Sequence, residues 1–294
     1  VSYGALRDRS NRLANVLSRN GVQRGDRVAI LLPQSREVAE AHIALYKLGA
    51  IAVPLAVLFG IDALAYRLAD SGATALITNA SGLAKLAEIP AASHSLTLST
   101  DGPDRSALGY EAALETQSAD FIPVTTRADD PALMIYTSGT TGQPKGVPLS
   151  HANLLHQVRT LGVAVAPRPG NRVLSVLPIW HSYERSAEYF LLACGCRQTY
   201  TTLKQLRADL QRVKPHYLIS VPRLWEALLS GFDDALAAMQ VSRQRLLRAA
   251  LANSRAYGQR RRQALDLTLT PEALPARLGA AARSVCDDRD LRRA

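Results

Sequence analysis

Apolar residues recur along the chain with two different periods, and each period predicts a different element. Residues 3–19 and 35–48 repeat their apolar positions at helical spacing, and a glycine follows each stretch closely. Short apolar runs lie between such stretches, for example residues 26–32, which end before Pro33 and predict a buried strand. Because strands and helices alternate almost throughout, the pattern predicts an α/β fold in which layered sheets are flanked by helices.

The same alternation continues along the rest of the chain, with one interruption. Residues 90–130 are rich in Ser, Asp, Gly and Pro and are expected to form mostly loop. From Val241 onward the pattern indicates long helices without a strand. Ser35 and Ser150 stand where a serine caps a helix. The further predicted strands are 51–55, 74–78, 132–136, 173–177, 198–201 and 217–221, and the further predicted helices are 62–69, 151–165, 183–193, 203–213 and one that begins at Pro222.

The stretch 136–147, Tyr-Thr-Ser-Gly-Thr-Thr-Gly-Gln-Pro-Lys-Gly-Val, carries the strongest chemical information. It directly follows the predicted strand 132–136. Glycines let a backbone turn tightly and bring its N–H groups against a ligand, hydroxyls add donors, and lysine adds a mobile positive charge. This composition predicts a loop that wraps polyphosphate. Its candidate binding residues are Thr137, Ser138, Gly139, Thr140, Thr141, Gly142, Lys145 and Gly146.

The spacing within this loop excludes a Walker A motif. That motif places its lysine directly after a glycine, at the start of a helix. Here Gln143 and Pro144 separate Gly142 from Lys145, and Gly146-Val147-Pro148 follows, so that no helix begins at the lysine. The loop therefore presents its lysine to phosphate in a different way.

Composition narrows the class of protein further. The chain has 294 residues, 47% of them hydrophobic, which is enough for a large core in one or two domains. It contains no run of 18 apolar residues, so a membrane-spanning helix is not expected. Three cysteines are too few for a disulfide scaffold, and the opening residues lack a basic-then-apolar leader. These features favour a cytoplasmic protein.

The net charge of +10 is unevenly distributed. From Val241 to Ala294, twelve arginines stand against five acidic residues. Such a basic stretch can meet an anionic membrane surface, so peripheral membrane contact is one interpretation, and a solvated arginine-rich helix face is the other. Nucleic acid is not expected as a partner, because aromatic residues make up only 5% of the chain and do not interleave with the arginines.

Residues 137–146 resemble the phosphate-binding signature of the acyl-adenylate-forming superfamily, T-S-G-[ST]-T-G-x-P-K-G, and match it at every position. Residues 177–185 and 220–226 are similar to long-chain acyl-CoA synthetases and acyl-acyl-carrier-protein synthetases. Residues 1–130 look closer to short- and medium-chain members, which indicates either an unusual member or a chimera joined near the signature. The resemblance implies part of the N-terminal domain of an adenylate-forming enzyme.

The resemblance also implies roles for individual residues. Thr141 would lie near Mg²⁺ and phosphate, and Lys145 would contact the phosphates while the loop is closed over ATP. His181 stands at a predicted strand-to-helix junction and would be the catalytic residue, orienting the substrate carboxylate or the α-phosphate. Trp180 and Tyr183 would wall the acyl channel.

Three charged residues follow this junction. Glu184, Arg185 and Glu188 share one turn of the predicted helix. Their spacing predicts an ion-pair face on the helix.

The implied reaction is ATP-dependent activation of a fatty acid to acyl-AMP, followed by transfer to CoA as a thioester. It requires ATP, Mg²⁺ and CoA. An acyl-carrier-protein ligase or another carboxylate-adenylating enzyme is the alternative within the superfamily, and a non-catalytic nucleotide-binding remnant is the alternative outside it. The family's adenine motif, ribose-binding aspartate and C-terminal lid domain are not found, so we expect a fragment that turns over little by itself. Residues 1–128 are expected to form a first α/β subdomain, and 129–294 the part with the phosphate loop and a helical C-terminal stretch.

Overall fold

The computed structural model describes residues 1–89, 94–138, 142–265 and 267, and strands and helices alternate along them as the hydrophobic pattern predicts. The strands are β1 (Arg27–Ile30), β2 (Ile51–Pro54), β3 (Ala75–Thr78), β4 (Leu96–Ser99), β5 (Leu108–Gly109), β6 (Pro131–Thr137), β7 (Lys145–Ser150), β8 (Arg172–Ser175), β9 (Arg197–Tyr200) and β10 (Tyr217–Leu218). The helices are α1 (Tyr3–Arg19), α2 (Arg36–Leu48), α3 (Ile61–Ser71), α4 (Ala80–Leu86), α5 (Tyr110–Glu115), α6 (His151–Thr160), α7 (Ser182–Ala193), α8 (Leu206–Val213), α9 (Pro222–Ala237) and α10 (Val241–Ala264), and a short 3₁₀ helix (Leu161–Val163) follows α6.

Seven strands form one sheet in the order β5-β4-β3-β1-β2-β6-β7. Neighbouring strands in this sheet are parallel, except that β7 runs antiparallel to β6 at the edge. A second, three-stranded sheet has the parallel order β10-β8-β9. Parallel neighbours need crossover connections, and helices such as α2 and α3 supply them. The predicted fold class, layered sheets flanked by helices, is confirmed.

Helices cover both faces of the seven-stranded sheet. Along β1, Val28 and Ile30 lie in a core that includes residues of α1 and α2, whereas Ala29 lies in a second core that includes residues of α3. Successive strand residues point to opposite faces, so this strand is buried on both sides. Burial on both sides explains why the sequence of β1 is almost continuously apolar and shows no alternation of apolar and polar residues.

Most of residues 94–130 lie outside helices and strands, as their composition predicts, but this segment also contains β4, β5 and α5, which the hydrophobic pattern did not predict. β4 and β5 extend the sheet beyond β3, and α5 follows directly. The sequence of β4 is Leu-Thr-Leu-Ser and that of β5 is Leu-Gly, so neither is a continuous apolar run, and turn-forming residues flank both. Of the two predicted serine caps, Ser150 forms a reciprocal capping box with Asn153, whereas Ser35 makes no capping hydrogen bond through its side chain.

The chain divides into two compact units, Val1–Ser220 and Val221–Ala294. The first unit contains both sheets. In the described part of the second unit, the secondary structure consists of α9 and α10. α10 agrees with the helical pattern predicted from Val241 onward, and the part of that prediction that falls on residues 266 and 268–294 lies outside the described residues. Pro222 occupies the first turn of α9, where a proline costs no hydrogen bond.

Candidate functional site

The predicted phosphate loop joins β6 to β7, the antiparallel pair at the edge of the large sheet. Thr137, the last residue of β6, is directly opposite Lys145, the first residue of β7. Both side chains are exposed, as is Ser138. Gly142 has a φ of 90°, in the left-handed region that favours glycine. The structure thus brings a hydroxyl and a lysine together at the two ends of the loop. The candidate residues Gly139, Thr140 and Thr141 lie outside the described residues.

Helix α3 holds both ends of this loop. The Tyr136 hydroxyl donates a hydrogen bond to Asp70 Oδ2 at 2.7 Å. On the other side of the loop, the Tyr66 hydroxyl donates to the backbone oxygen of Pro144 at 3.1 Å. Burial, and next the hydrogen bond to Asp70, raises the pKa of Tyr136, so its hydroxyl stays protonated as a donor. The loop therefore starts and ends on fixed backbone.

Gly146 lies inside β7, where close packing rather than a turn favours glycine. A Cβ atom at this position would lie 2.9 Å from Met134 Sδ and 3.3 Å from Tyr136 Cζ. Glycine in a strand often marks such a close approach. This residue lets the side chains of β6 pack over β7 directly behind the loop.

His181 lies in the turn after β8 and is the N-cap residue of α7. Its Nδ1 accepts a hydrogen bond from the backbone N–H of Tyr183 at 3.3 Å. A ring nitrogen that accepts a hydrogen bond carries no proton, so the neutral imidazole is protonated on Nε2. His181 is exposed. Its Nε2–H is therefore a donor available to an anion near the start of α7.

The two aromatic residues beside His181 have different surroundings. Trp180 is partly buried and packs against the main core, with its ring 6.5 Å from the ring of Phe59. The guanidinium of Arg67 lies 4.0 Å from the centroid of the Phe59 ring and 5.6 Å from that of the Tyr136 ring. Aromatic and cationic contacts thus connect the His181 turn to the base of the phosphate loop.

Tyr183, by contrast, lines a cavity of about 700 Å³. Residues of β7, α6, α7 and β10 form its walls, and most of them are apolar. This volume lies within the range of small-molecule sites in proteins. The apolar walls include Leu149, Leu154, Ala187, Phe190 and Ile219.

The opposite side of α7 carries the three charged residues predicted to form an ion-pair face. Arg185 Nη2 is 2.6 Å from Glu188 Oε2, and both side chains are only 1% exposed. Glu184 is also fully buried, and its Oε1 accepts a hydrogen bond from Gln34 at 2.7 Å. Burial raises the pKa of Glu184 to about 7. The predicted ion pair exists, but it lies inside the protein, where the chain after β1 meets α7.

Comparison with protein families shows which family carries this loop. A family model described as "AMP-binding enzyme" matches residues 1–286. The chain belongs to this family. Among curated relatives, probable acyl-activating enzyme 16 of Arabidopsis thaliana is 48% identical over 147 residues, which cover 50% of this chain and 20% of that protein. The Arabidopsis long-chain-fatty-acid–[acyl-carrier-protein] ligase AEE15 is 44% identical over 148 residues, again 50% of this chain and 20% of the relative.

A longer match has lower identity. Long-chain-fatty-acid–CoA ligase FadD15 of Mycobacterium tuberculosis is 33% identical over 228 residues, covering 74% of this chain and 38% of that protein. The chain therefore spans less than half the length of these three curated relatives.

Solved structures of family members share the fold. The inhibitor-bound N-terminal domain of FACL13 from Mycobacterium tuberculosis superposes with a TM-score of 0.69 at 25% identity, covering 76% of this chain and 56% of that one. ATP-bound MatB from Rhodopseudomonas palustris gives a TM-score of 0.68 at 29% identity, covering 78% of this chain and 46% of that one. The implied N-terminal adenylate-forming fold is confirmed.

Two kinds of feature are absent from the described residues. No helix there is both long enough and apolar enough to cross a membrane. The described residues also hold no group of three or more His, Cys, Asp or Glu side chains that could bind a metal ion. The single residue predicted near Mg²⁺, Thr141, is not among them.

Several residues that shape the site carried no signal in the sequence. Tyr66, Asp70 and Arg67 belong to α3, and Phe59 precedes that helix, far from the loop along the chain. Their side chains match no motif, and their contacts depend on how α3 packs over β6 and β7. Only the tertiary structure identifies them.

Proposed function

We propose that this chain provides the ATP- and fatty-acid-binding part of an enzyme that activates a fatty acid to acyl-AMP and transfers the acyl group to the thiol of CoA. The supporting observation lies on β7. Lys145 starts this strand at the phosphate loop, and Leu149, four residues further on, lines the apolar cavity. A strand rises about 3.3 Å per residue, so the lysine and the start of the cavity are about 13 Å apart along the strand. A polyphosphate site next to an apolar cavity suits ATP and a fatty acid.

In the proposed first step, a carboxylate oxygen of the fatty acid attacks the α-phosphorus of ATP, and pyrophosphate leaves. This step brings anions together, so catalysis depends on donors and positive charge held in position. Lys145, Thr137 and Ser138 would bind the phosphates at the loop. His181 would donate its Nε2–H to the carboxylate or to the α-phosphate. Mg²⁺, when bound, neutralises phosphate charge, and Thr141 is the proposed hydroxyl near it.

The second step takes place at the acyl carbon, whereas the first forms its bond at the carboxylate oxygen. A thiolate attacks the carbonyl carbon of acyl-AMP, the C–S bond forms, and the bond from carbon to the phosphate oxygen breaks as AMP leaves. The hydrocarbon would stay in the cavity through both steps. Each buried methylene contributes about 0.8 kcal/mol, so the depth of the cavity would set the preferred length of the acid.

A pyrophosphate-exchange assay on the protein from its full reading frame tests this proposal. The substrates are ATP, labelled pyrophosphate and a panel of fatty and aromatic carboxylic acids. Exchange is expected with fatty acids, and Lys145→Ala is expected to lower it at least tenfold, because that lysine would contact the transferring phosphates. Lys204→Ala, at another exposed lysine, is the matched control and should exchange normally. If none of the carboxylic acids supports exchange, the proposal is refuted. Calorimetry with ATP would then test the alternative of a non-catalytic nucleotide-binding remnant.

A second experiment tests the assignment of the cavity. Ala187 lines it, whereas Ala193 lies exposed on the same helix. Ala187→Leu fills part of the cavity and should shift the preference toward shorter acids. Ala193→Leu adds the same volume outside the cavity and should leave the preference unchanged. An unchanged chain-length profile in Ala187→Leu would place the acyl chain elsewhere.

A carrier-protein thiol is the second candidate acceptor. AEE15 bears the name of an acyl-carrier-protein ligase, and the shared stretch covers half of this chain. We therefore propose carrier protein as the alternative to CoA. Direct comparison of the two acceptors in the thioester-forming step, with one fatty acid and one enzyme preparation, separates them.

A further inference from the structure

The second unit carries a strongly charged surface that the adenylation chemistry leaves unexplained. Helix α10 spans 24 residues. Its sequence, VSRQRLLRAALANSRAYGQRRRQA, contains arginines but neither a lysine nor an acidic residue. Acidic residues of this unit do occur nearby in α9, at Glu226, Asp233 and Asp234. The arginines of α10 are Arg243, Arg245, Arg248, Arg255, Arg260, Arg261 and Arg262.

Four of these arginines share one side of the helix, which we call the arginine face. Its positions follow one another at steps of three and four residues, the spacing that places side chains on one side of a helix. All of its residues are exposed. A rise of 1.5 Å per residue gives the face a length of about 25 Å. The members are Arg245, Arg248, Ala252, Arg255, Gln259 and Arg262.

The arginines of the face form no salt bridge within the part of the chain that the structure describes. None of the salt bridges found there involves Arg245, Arg248, Arg255 or Arg262. Within the face, Arg245 and Arg248 stand three residues apart, a spacing at which like charges destabilise a helix slightly. An acidic surface placed against the face would pair with its four positive charges.

The composition of the face favours a folded acidic partner over a lipid bilayer. A helix that lies in a membrane interface needs large apolar side chains beside its basic ones. The arginine face has only Ala252 and Gln259 between its arginines, and the exposed side chains of Leu246 and Leu247 lie outside the face, at other positions around α10. The planar arginine fork pairs with carboxylates through two parallel hydrogen bonds. A surface helix or loop of a small acidic protein would match such a row.

We propose that the arginine face docks an acidic acyl-carrier protein, which supplies the thiol for the second step. This inference rests on the proposed function, with carrier protein as the acceptor. Charge complementarity across such an interface governs encounter and partner choice more than total affinity. The arginine face would then favour an acidic carrier as thiol donor and would act on its binding, and not on acyl-AMP formation.

The test compares two double variants that lose the same charge from the same helix. Arg248→Gln/Arg255→Gln removes two arginines of the face. Arg243→Gln/Arg261→Gln removes two exposed arginines that lie more than about 100° away around the helix. Glutamine is a good helix former, so α10 should persist in both. The protein from the full reading frame is assayed with holo acyl-carrier protein, with CoA, and by pyrophosphate exchange.

The face variant is expected to raise the KM for carrier protein about tenfold and to leave pyrophosphate exchange and the KM for CoA unchanged. The difference from wild type should shrink as salt rises, because exposed charges are screened. The control variant should behave like wild type. Binding of fluorescently labelled apo carrier protein is measured in parallel, so that docking is read without turnover.

The outcomes separate this inference from the proposed function. Absence of exchange in wild type refutes the proposed function, while the binding measurement still reports on docking. Normal exchange without binding of carrier protein refutes the inference alone. Equal loss of binding in both double variants also refutes it, because general charge would then explain the effect. A loss of binding to phosphatidylserine vesicles, with carrier binding intact, would assign the face to a membrane.

Discussion

Replacing Glu188 with alanine should destabilise the first unit strongly. The change removes the carboxylate 2.6 Å from Arg185 Nη2 and the acceptor of the Tyr200 hydroxyl, and it leaves a guanidinium with no solvent exposure. Removing one partner of a buried ion pair costs about 3–5 kcal/mol. With a urea slope of roughly 2 kcal/mol per molar, the unfolding midpoint should fall by about 2 M.

The measurement must report on the first unit alone, because a chain with two units need not unfold in one step. The sequence has two tryptophans, Trp180 in the first unit and Trp225 in the second. In a Trp225→Phe background, fluorescence therefore follows the first unit through Trp180.

Two further variants make the Glu188 prediction specific. Asp8→Ala breaks the exposed Arg7–Asp8 pair, whose side chains are 70% and 42% exposed, and should change the free energy of unfolding by less than about 1 kcal/mol. Replacing both buried partners, Arg185→Met with Glu188→Leu, should recover most of the lost stability, since the buried guanidinium is removed together with the carboxylate that pairs with it. A Glu188→Ala protein as stable as wild type, or a double variant as unstable as the single one, would refute the reasoning.

Three other predictions follow from single contacts. Glu184→Gln should flatten the pH dependence of the free energy of unfolding. The pKa of Glu184 is raised from 4.5 to about 7, so its contribution to stability is complete below pH 4.5 and is lost as pH rises through about 7. Urea titrations at each pH should show this loss, about 3 kcal/mol, in wild type and not in the variant. Gly146→Ala should lower the unfolding free energy by roughly 1–2 kcal/mol through its contact with Met134, and a Met134→Val background should relieve the effect; equal losses in both backgrounds would contradict the packing argument. Ser150→Ala removes the hydroxyl that accepts a hydrogen bond from the backbone N–H of Asn153, and it should lower the free energy of unfolding by about 1 kcal/mol. The measurement is the shift in the urea midpoint, and no shift would show that the cap is dispensable.

Features set by neighbouring residues could be predicted from the sequence. The limits of α1 and the proline start of α9 follow from local apolar spacing and local capping chemistry. The strands β4 and β5 were not predicted, because neither is a continuous apolar run and both lie among Ser, Asp, Gly and Pro residues that indicate loop. The sequence also could not distinguish the surroundings of Tyr183, which lines the cavity, from those of Trp180, which lies against Phe59. The two aromatic residues are three positions apart, and only packing decides where each side chain lies.

The sequence by itself determined the alternation of strands and helices and the chemistry of the phosphate loop, because both depend on residues a few positions apart. Only the tertiary structure showed that Asp70 holds the Tyr136 end of that loop, across 66 positions of sequence. It also showed that Gln34 and Glu184 pair across 150 positions, which turns an apparent surface ion-pair face into a buried one. The physical reason is that burial depends on what packs against a helix face, and the spacing of charges along one helix carries no information about its neighbours.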